Sequence, residues 1–576
     1  MNSVGIIRSD SQLADYPRNL AAMLNGNAAK FGERPVLRQL EGGEYDSLSW
    51  SQFCREIRTI QNSLIKRGLE PGDRVAIVSR NRKEMLELEL AVMSLGAAAV
   101  PIFPAYTPEQ TGAMVRFCEP KMVVAAEQLH FGKIGNPNEF QTVIHMDPIK
   151  QSAANIIPFR DMLSTQTNGE ILGGEVDADT VCLMMYTSGT MGKPKCVQLT
   201  HRCILSQQAA GKSLWPVIEE DRFLTYLPWH HSYGGIFEKY TALANGACMA
   251  LESGYGKDLE LLFENWRKIR PTVFFSVPMI YQAMVTRARQ DKRIAELLFH
   301  EDLRFVFTAA APLPKSVSDD FDRCGITVLE GWGLTETSPC CTVTRPGMQR
   351  NPGVVGWPIP GVELMFAQDG EILVKGPNVM KGYFQNPEAT DLVFTADGWF
   401  KTGDVGEMTE EGVRLISRKD RIFKLSNAEK VIPSEIENMI TRECPYLAWA
   451  FVTGSGKSRP VAILFPNRAM FTRVPEDARL PVACSCPRDA EELAHCLGHC
   501  LMQVNRGLDE EYCRMSSVML VDHELSIETE ELTPSMKLAP NVVGRAFKAH
   551  IEYLHGAETG ESSGFDEAVY IIRLDE

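Results

Sequence analysis

Ten residues concentrate the groups that bind anions. Tyr186-Thr-Ser-Gly-Thr-Met-Gly-Lys-Pro-Lys195 holds three aliphatic hydroxyls (Thr187, Ser188, Thr190), two glycines (Gly189, Gly192) and two lysines. Glycine lets a backbone approach an anion closely, amides and hydroxyls donate to its oxygens, and lysine adds charge. The chemistry on offer is the holding of a phosphate. The spacing is not the Gly-x-x-x-x-Gly-Lys-Ser/Thr of a Walker loop, and the same residues would also serve as an ordinary polar turn. A second cluster joins Cys484-Ser-Cys486 to His495-Cys496-Leu-Gly-His499-Cys500. His495/His499 and Cys496/Cys500 are i,i+4 pairs on a possible helix and offer soft ligands for zinc. Their spacing matches no standard finger, and free cysteines also pack as small apolar groups, so the metal reading stays open.

The hydroxyl-rich loop follows an apolar run, Val181 to Tyr186, and other elements repeat that pattern. Arg74-Val-Ala-Ile-Val-Ser79 reads as a buried strand, residues 83–95 as a helix with Leu86, Leu90 and Met93 at helical spacing, and 97–103 as a second apolar run. Thr107-Pro108 starts a helix, with a hydroxyl cap and proline at the first position, and 122–126 is a further strand. Residues 259–270 read as a helix, and 272–277, 304–307 and 326–329 as buried strands. Strands alternating with helices imply a mostly parallel sheet. Between 353 and 416, short alternating runs separated by Gly, Pro and Asp read as antiparallel structure closing into a small barrel. Pro433 opens a helix with acids in its first turn, in a smaller α+β region. The expected class is α/β: a large domain, 1–419, of α/β subdomains plus the barrel, then a small mobile α+β domain, 420–576.

Bulk properties limit the partners. The chain has 576 residues, 44% hydrophobic and 23% charged, with a net charge of −15. That acidity argues against non-specific nucleic-acid binding without forbidding a local phosphate site. Residues 1–22 lack a basic segment followed by an apolar one, so no secretory signal is expected. The longest nearly uncharged stretch, 90–106, is broken by Pro101 and Pro104 and makes a poor membrane span. With 15 cysteines, an odd number, reduced thiols are favoured over a disulfide framework. The chain reads as cytoplasmic, with peripheral membrane contact left open.

Several further motifs stand in an order that resembles the adenylate-forming (AMP-binding) superfamily of acyl- and aryl-CoA synthetases, peptide-synthetase adenylation domains and beetle luciferases. They are the 186–195 loop, Leu227-Pro-Trp-His-His231, Ala309-Ala-Ala-Pro312, Gly331-Trp-Gly-Leu-Thr-Glu336, Gly398-Trp-Phe-Lys-Thr-Gly-Asp404, Arg418-Lys-Asp-Arg421 and Thr533-Pro-Ser-Met-Lys537. The resemblance covers about residues 37–554. It implies an acid–thiol ligase that converts a carboxylic acid and ATP to an acyl-adenylate, releases pyrophosphate and passes the acyl group to a thiol. Two anions must approach, so catalysis needs charge neutralisation and alignment more than an acid–base pair.

The resemblance also implies roles. Thr187, Ser188, Gly189, Thr190, Gly192 and Lys195 close over the β- and γ-phosphates. Ala310, Trp332 and Gly333 border the adenine. Thr335 contacts phosphate, and Glu336 holds Mg²⁺, for which one carboxylate beside phosphate oxygens suffices. Asp404 accepts from the ribose hydroxyls and Arg418 donates to the same sugar. Lys537 contacts the carboxylate and the α-phosphate, Asp420 is the hinge of the small domain, and His231 lines the acyl pocket. Leu329-Glu-Gly331 resembles the long-chain branch, whose glycine leaves room for a tail, so a medium- or long-chain fatty acid is expected with ATP, Mg²⁺ and CoA. Met191, Cys196, Ala309, Ala310 and Ala428 depart from the usual pattern, the last beside the thiol path. A ligase loading a separate acyl carrier protein would share nearly every motif. A luciferase-like oxidase would share many of them. A non-catalytic nucleotide-binding relic would share the fold, but a relic need not keep Lys195, Glu336, Asp404 and Lys537 together.

Overall fold

The computed structural model of the chain describes residues 5–187, 195–309, 311–348, 351, 353–444, 446–471, 487–526, 529–533, 538–556, 565 and 567–574. Ser188, Gly189, Thr190, Met191, Gly192, Ala310, Cys484, Cys486 and Lys537 lie outside these described residues.

Apolar runs between helical patterns become parallel strands, as the alternation requires. Arg74–Val78 pairs in parallel with Ala98–Ile102 and Met122–Ala125. Helix Lys83–Ser94 connects the first two, and helix Pro108–Phe117 follows the second. Thr107 caps the latter helix in a reciprocal capping box with Gln110, which satisfies amides that the first turn leaves unbonded. These strands belong to an eight-stranded sheet whose far edge turns antiparallel. There Val181–Thr187 pairs with Lys195–Thr200, and that strand with Gly382–Tyr383. Thr187 and Lys195 are direct cross-strand partners, so both ends of the 188–194 segment leave the sheet at one point.

A second sheet has fourteen strands. Its parallel centre includes Arg222–Thr225, Val273–Ser276, Phe305–Thr308 and Thr327–Trp332. Thr327–Trp332 then pairs antiparallel with Thr342–Val343, and that strand with Val354–Pro358. The antiparallel segment expected as a small barrel is therefore continuous with the parallel sheet through these short strands.

The chain divides into two compact units: residues 1–402 with 407–414, and residues 403–406 with 415–576. The second is built on the sheet Leu447–Thr453, Val461–Pro466, Ser517–Val521, Val569–Arg573. Alternation splits its strands between two cores. Val452, Ala462, Leu464, Val518 and Leu520 face helices Pro433–Glu443 and Ala490–Gly507. Phe451, Val461, Ile463, Met519 and Val521 face Val543, Phe547 and Leu554. Each buried aliphatic or aromatic side chain contributes roughly 1.5–3 kcal/mol, which ties strand register to face identity. No helix of the described residues is long and apolar enough to cross a membrane.

Candidate active site

Three sequence-marked segments converge in the first unit, joined by the short strand Gly382–Tyr383. Thr187 ends one strand of the hairpin and Lys195 begins the other. The Lys195 Nζ lies 4.8 Å from the ring centroid of Tyr383. The Tyr383 hydroxyl donates to Glu336 Oε1 at 2.8 Å. Both Tyr383 and Glu336 are buried, 6% and 9% exposed. Backbone bonds fix this triangle: Met380 N–H donates to the Glu336 carbonyl at 2.8 Å, and Phe384 N–H to that of Cys196 at 2.8 Å. Thr335–Thr337 form a single 3₁₀ turn two residues beyond the Thr327–Trp332 strand. A strand opening into a tight turn presents the turn's side chains beyond the strand's carboxyl end, where ligands of α/β sheets bind.

The acyl-pocket segment is tied to the same turn. Ser232 Oγ and Thr335 Oγ1 are 3.1 Å apart. Residues Tyr233–Glu238 form a wide π-helical turn, a geometry frequent at functional sites. A Cβ on Gly234 would stand 2.6 Å from the Leu227 carbonyl oxygen, and one on Gly235 2.0 Å from that of Trp229. Only glycine lets this turn close beneath Leu227-Pro-Trp229. His231 begins the turn: its carbonyl accepts from Gly235 N–H at 2.7 Å, and its Nδ1 accepts from Tyr233 N–H at 3.3 Å. His230 packs on Phe103, with ring centroids 4.3 Å apart, and burial pushes its imidazole down to about 3. Below Trp229 lies a wholly buried ion pair, Lys239 to Glu89 at 2.5 Å. Burial lowers the Lys239 pKa while Glu89 opposes the shift.

Trp332 is 7% exposed and pairs in register with Thr342. Its neighbour Gly333 has its Cα against the Pro339 carbonyl oxygen, which a Cβ would approach to 1.6 Å. Gly331 stands against a ring. An added Cβ there would lie 2.7 Å from Phe307 Cζ, so the missing side chain lets that ring approach the strand. Phe307 in turn belongs to a buried aromatic cluster with Phe237 and Phe275, at 4.7 and 5.1 Å.

In the second unit Asp404 and Arg418 meet at 3.0 Å through Oδ1 and Nη1. The Arg418 Nε is 3.9 Å from Asp420. Gly403 adopts φ +71°, and a Cβ on it would stand 3.0 Å from the Arg418 guanidinium. Just beyond Asp420, Arg421 pairs with Glu437, which also accepts from Val452 N–H at 2.8 Å. The first helix of the unit is thus fastened to the sheet next to the expected hinge.

Tyr383 and Ser232 join the Thr335–Thr337 turn from outside the residues that the motifs single out. The Gly382-Tyr383 pair, with Gly382 at φ +147°, was the available signal for the first. Of the departures, Cys196 faces the core beside Cys118, because alternation turns it opposite to Lys195. Ala428 stands at φ +69°. For the cysteine–histidine cluster, Cys496 and Cys500 pack against the core of the second unit whereas His495 and His499 are exposed. Among the described residues no group of three or more His, Cys, Asp or Glu side chains is arranged to hold a metal ion.

A model of the family described as "AMP-binding enzyme" matches residues 24–384, and one described as "AMP-binding enzyme C-terminal domain" matches 420–552. The chain belongs to the AMP-binding enzyme family. It is similar to the long-chain-fatty-acid–CoA ligase FadD15 of Mycobacterium bovis, 26% identical over 604 residues, covering 94% of this chain and 97% of that protein. Fatty acyl-CoA synthetase A of Dictyostelium discoideum is 28% identical over 509 residues, covering 76% and 74%. Among solved structures, the ATP-bound chimera RpMatB-BxBclM B1 aligns with a TM-score of 0.74 at 25% identity, covering 92% of this chain and 99% of that one. Membership carries the coarse activity, adenylate-forming ligation, and the fold carries its architecture of a large N-terminal and a small C-terminal domain.

Proposed function

We propose that the protein joins a medium- or long-chain fatty acid to CoA through an acyl-adenylate. The acid carboxylate attacks the α-phosphorus of ATP, pyrophosphate leaves, and the CoA thiolate then attacks the acyl carbon and expels AMP. The observation that carries this reading is the Lys195–Tyr383–Glu336 arrangement at the mouth of the hydroxyl-rich hairpin, in a chain similar over nearly its whole length to a long-chain-fatty-acid–CoA ligase. The similar chimera was crystallised with ATP, which supports ATP as the first substrate.

In this reading Thr187, Ser188, Gly189, Thr190, Gly192 and Lys195 bind the β- and γ-phosphates, with Lys195 held over the Tyr383 ring. Thr335 contacts phosphate. Ala310, Trp332 and Gly333 border the adenine, and Asp404 receives the ribose hydroxyls while Arg418, paired with it, donates to the same sugar. Glu336 fits a magnesium ion: one oxygen is engaged by Tyr383, the carboxylate keeps further lone pairs, and Mg²⁺ takes one or two carboxylates besides phosphate and water. Bound there with ATP, Mg²⁺ would neutralise phosphate charge. Lys537 neutralises the carboxylate and α-phosphate, His231 lines the acyl pocket, and Asp420 is the hinge on which domain 420–576 exchanges the Lys537 face for a thiolation face. The protein works in the cytoplasm, where free thiols persist. Phe307 fills the space beside Gly331, so a long tail passing there requires that ring to turn.

Turnover with CoA across straight-chain acids from acetate to octadecanoate tests the substrate class. Preference for octanoate or longer supports the reading; preference for acetate or benzoate rejects it. Efficient loading of a separate carrier protein with no acyl-CoA formed would replace CoA as acceptor.

A further inference from the structure

The chain approaches and leaves Thr533-Pro-Ser-Met-Lys537 through a fixed foot. Leu532 and Leu538 face one another in an antiparallel bridge. The Ala539 N–H donates to the Glu531 carbonyl at 2.8 Å, and the Leu532 N–H to that of Ser526 at 3.0 Å. Leu532 is sunk in the apolar core on one face of the small sheet. The Glu531 side chain does the corresponding polar work. It is 5% exposed, and a buried carboxylate is costly unless paired and hydrogen-bonded. Its Oε2 accepts from Thr529 Oγ1 at 2.6 Å and from Ser526 N–H at 3.3 Å. Both its oxygens lie 3.1 Å from His523 Nε2. His523 directly follows strand Ser517–Val521, through Asp522, and its ring packs on Phe547 at 5.4 Å. One carboxylate therefore ties the start of the lysine segment to the end of an internal strand of this unit's sheet.

We infer that Glu531 is a positioning residue for Lys537, with His523 as its anchor. The inference rests on the reading of Lys537 given above. An ammonium that must meet a carboxylate and an α-phosphate acts only when aimed, and Glu531 fixes the near end of the short segment that carries it. In that reading Lys537 serves adenylation and is withdrawn for the thiol step. Loosening the foot should therefore damage one half-reaction and spare the other, whereas a side chain that only held the domain together would damage both.

The test uses the full chain and measures two half-reactions separately: ATP–pyrophosphate exchange with dodecanoate, and dodecanoyl-CoA formation from preformed dodecanoyl-AMP. Glu531→Ala is expected to lower exchange roughly 10- to 100-fold, mostly in kcat, while thiolation stays within about twofold. Glu531→Gln, which keeps the length and an acceptor oxygen, should recover most of the exchange. His523→Gln should show the same one-sided loss. Equal losses in both half-reactions, or unchanged exchange in Glu531→Ala, overturn the inference. Lys537→Ala is run beside them. If it fails to separate the half-reactions, the reading of Lys537 falls and takes this inference with it. If it separates them and Glu531→Ala does not, only the inference falls.

Discussion

Replacing Tyr383 by Phe isolates one hydroxyl at the centre of the candidate site. The ring under Lys195 remains, so the cation–ring contact at 4.8 Å is kept. What is lost is the 2.8 Å hydrogen bond to Glu336 Oε1, between two side chains that are both less than a tenth exposed. A hydrogen bond to a charged acceptor is worth roughly 1.5–3 kcal/mol, and each ~1.4 kcal/mol is a factor of ten in an equilibrium constant. If that energy holds the carboxylate in the position that receives magnesium, the loss appears in metal affinity. The Mg²⁺ concentration for half-maximal ATP–pyrophosphate exchange should rise about tenfold or more. The rate at saturating Mg²⁺ should fall much less, because the carboxylate itself is intact. Folding is checked on the same sample by the denaturant midpoint. An Mg²⁺ titration superimposable on that of the unsubstituted protein would detach Glu336 from the metal and refute the reasoning.

Three other substitutions have signs fixed by geometry. Ala428 stands at φ +69° and is exposed; a left-handed L-residue costs roughly 1–2 kcal/mol, and glycine's extra chain entropy returns about 0.5–1 of that. Ala428→Gly should thus leave stability unchanged or slightly higher, and acyl-CoA formation from acyl-AMP equal or faster, with exchange unaffected; a slower thiol step would show that the methyl does not obstruct it. Lys239→Met strands Glu89 in the interior and should cost about 3–5 kcal/mol in denaturant unfolding, whereas pairing it with Glu89→Leu should restore most of that; equal losses in single and double variants would contradict the coupling. His201 accepts from Leu20 N–H through Nδ1 and burial pushes its pKa down to about 4. Its folded pKa lies below the unfolded value of about 6.5, so its stabilisation is full above pH ~6.5 and is lost as pH falls towards 4. His201→Asn should flatten the stability profile in that window, and an unchanged slope would exclude His201 as a source of acid lability.

Much of this was legible in the residues because local chemistry and global fold agree. Thr107-Pro108 specified a helix start by capping alone, and the alternation of residues 74 to 125 specified parallel strands. The Thr187 and Lys195 ends of the hydroxyl-rich segment fall where the apolar run stops. The triangle at Glu336 was half legible. Glu336 and Lys195 lie in motifs, but Tyr383 reaches them from a two-residue strand too short to leave a periodic signal, and the pairing that brings it there spans almost two hundred positions. Gly331 is ambiguous for a related reason: a glycine signals missing volume, yet the sequence does not say that a distant ring, here Phe307, stands against it. The cysteine–histidine spacing was ambiguous because i,i+4 pairs on adjacent positions of one helix face different ways, and only packing decides which face is the core.

In the proposed reaction the acid's own oxygen becomes bonded to the α-phosphorus. This step is tested by supplying ATP, Mg²⁺, CoA and dodecanoate labelled with ¹⁸O in its carboxylate, and weighing the nucleotide and phosphate products. The expected products are AMP carrying a single ¹⁸O atom, unlabelled pyrophosphate and acyl-CoA retaining the other carboxylate oxygen. ADP as the nucleotide product, with the label in inorganic phosphate, would contradict it.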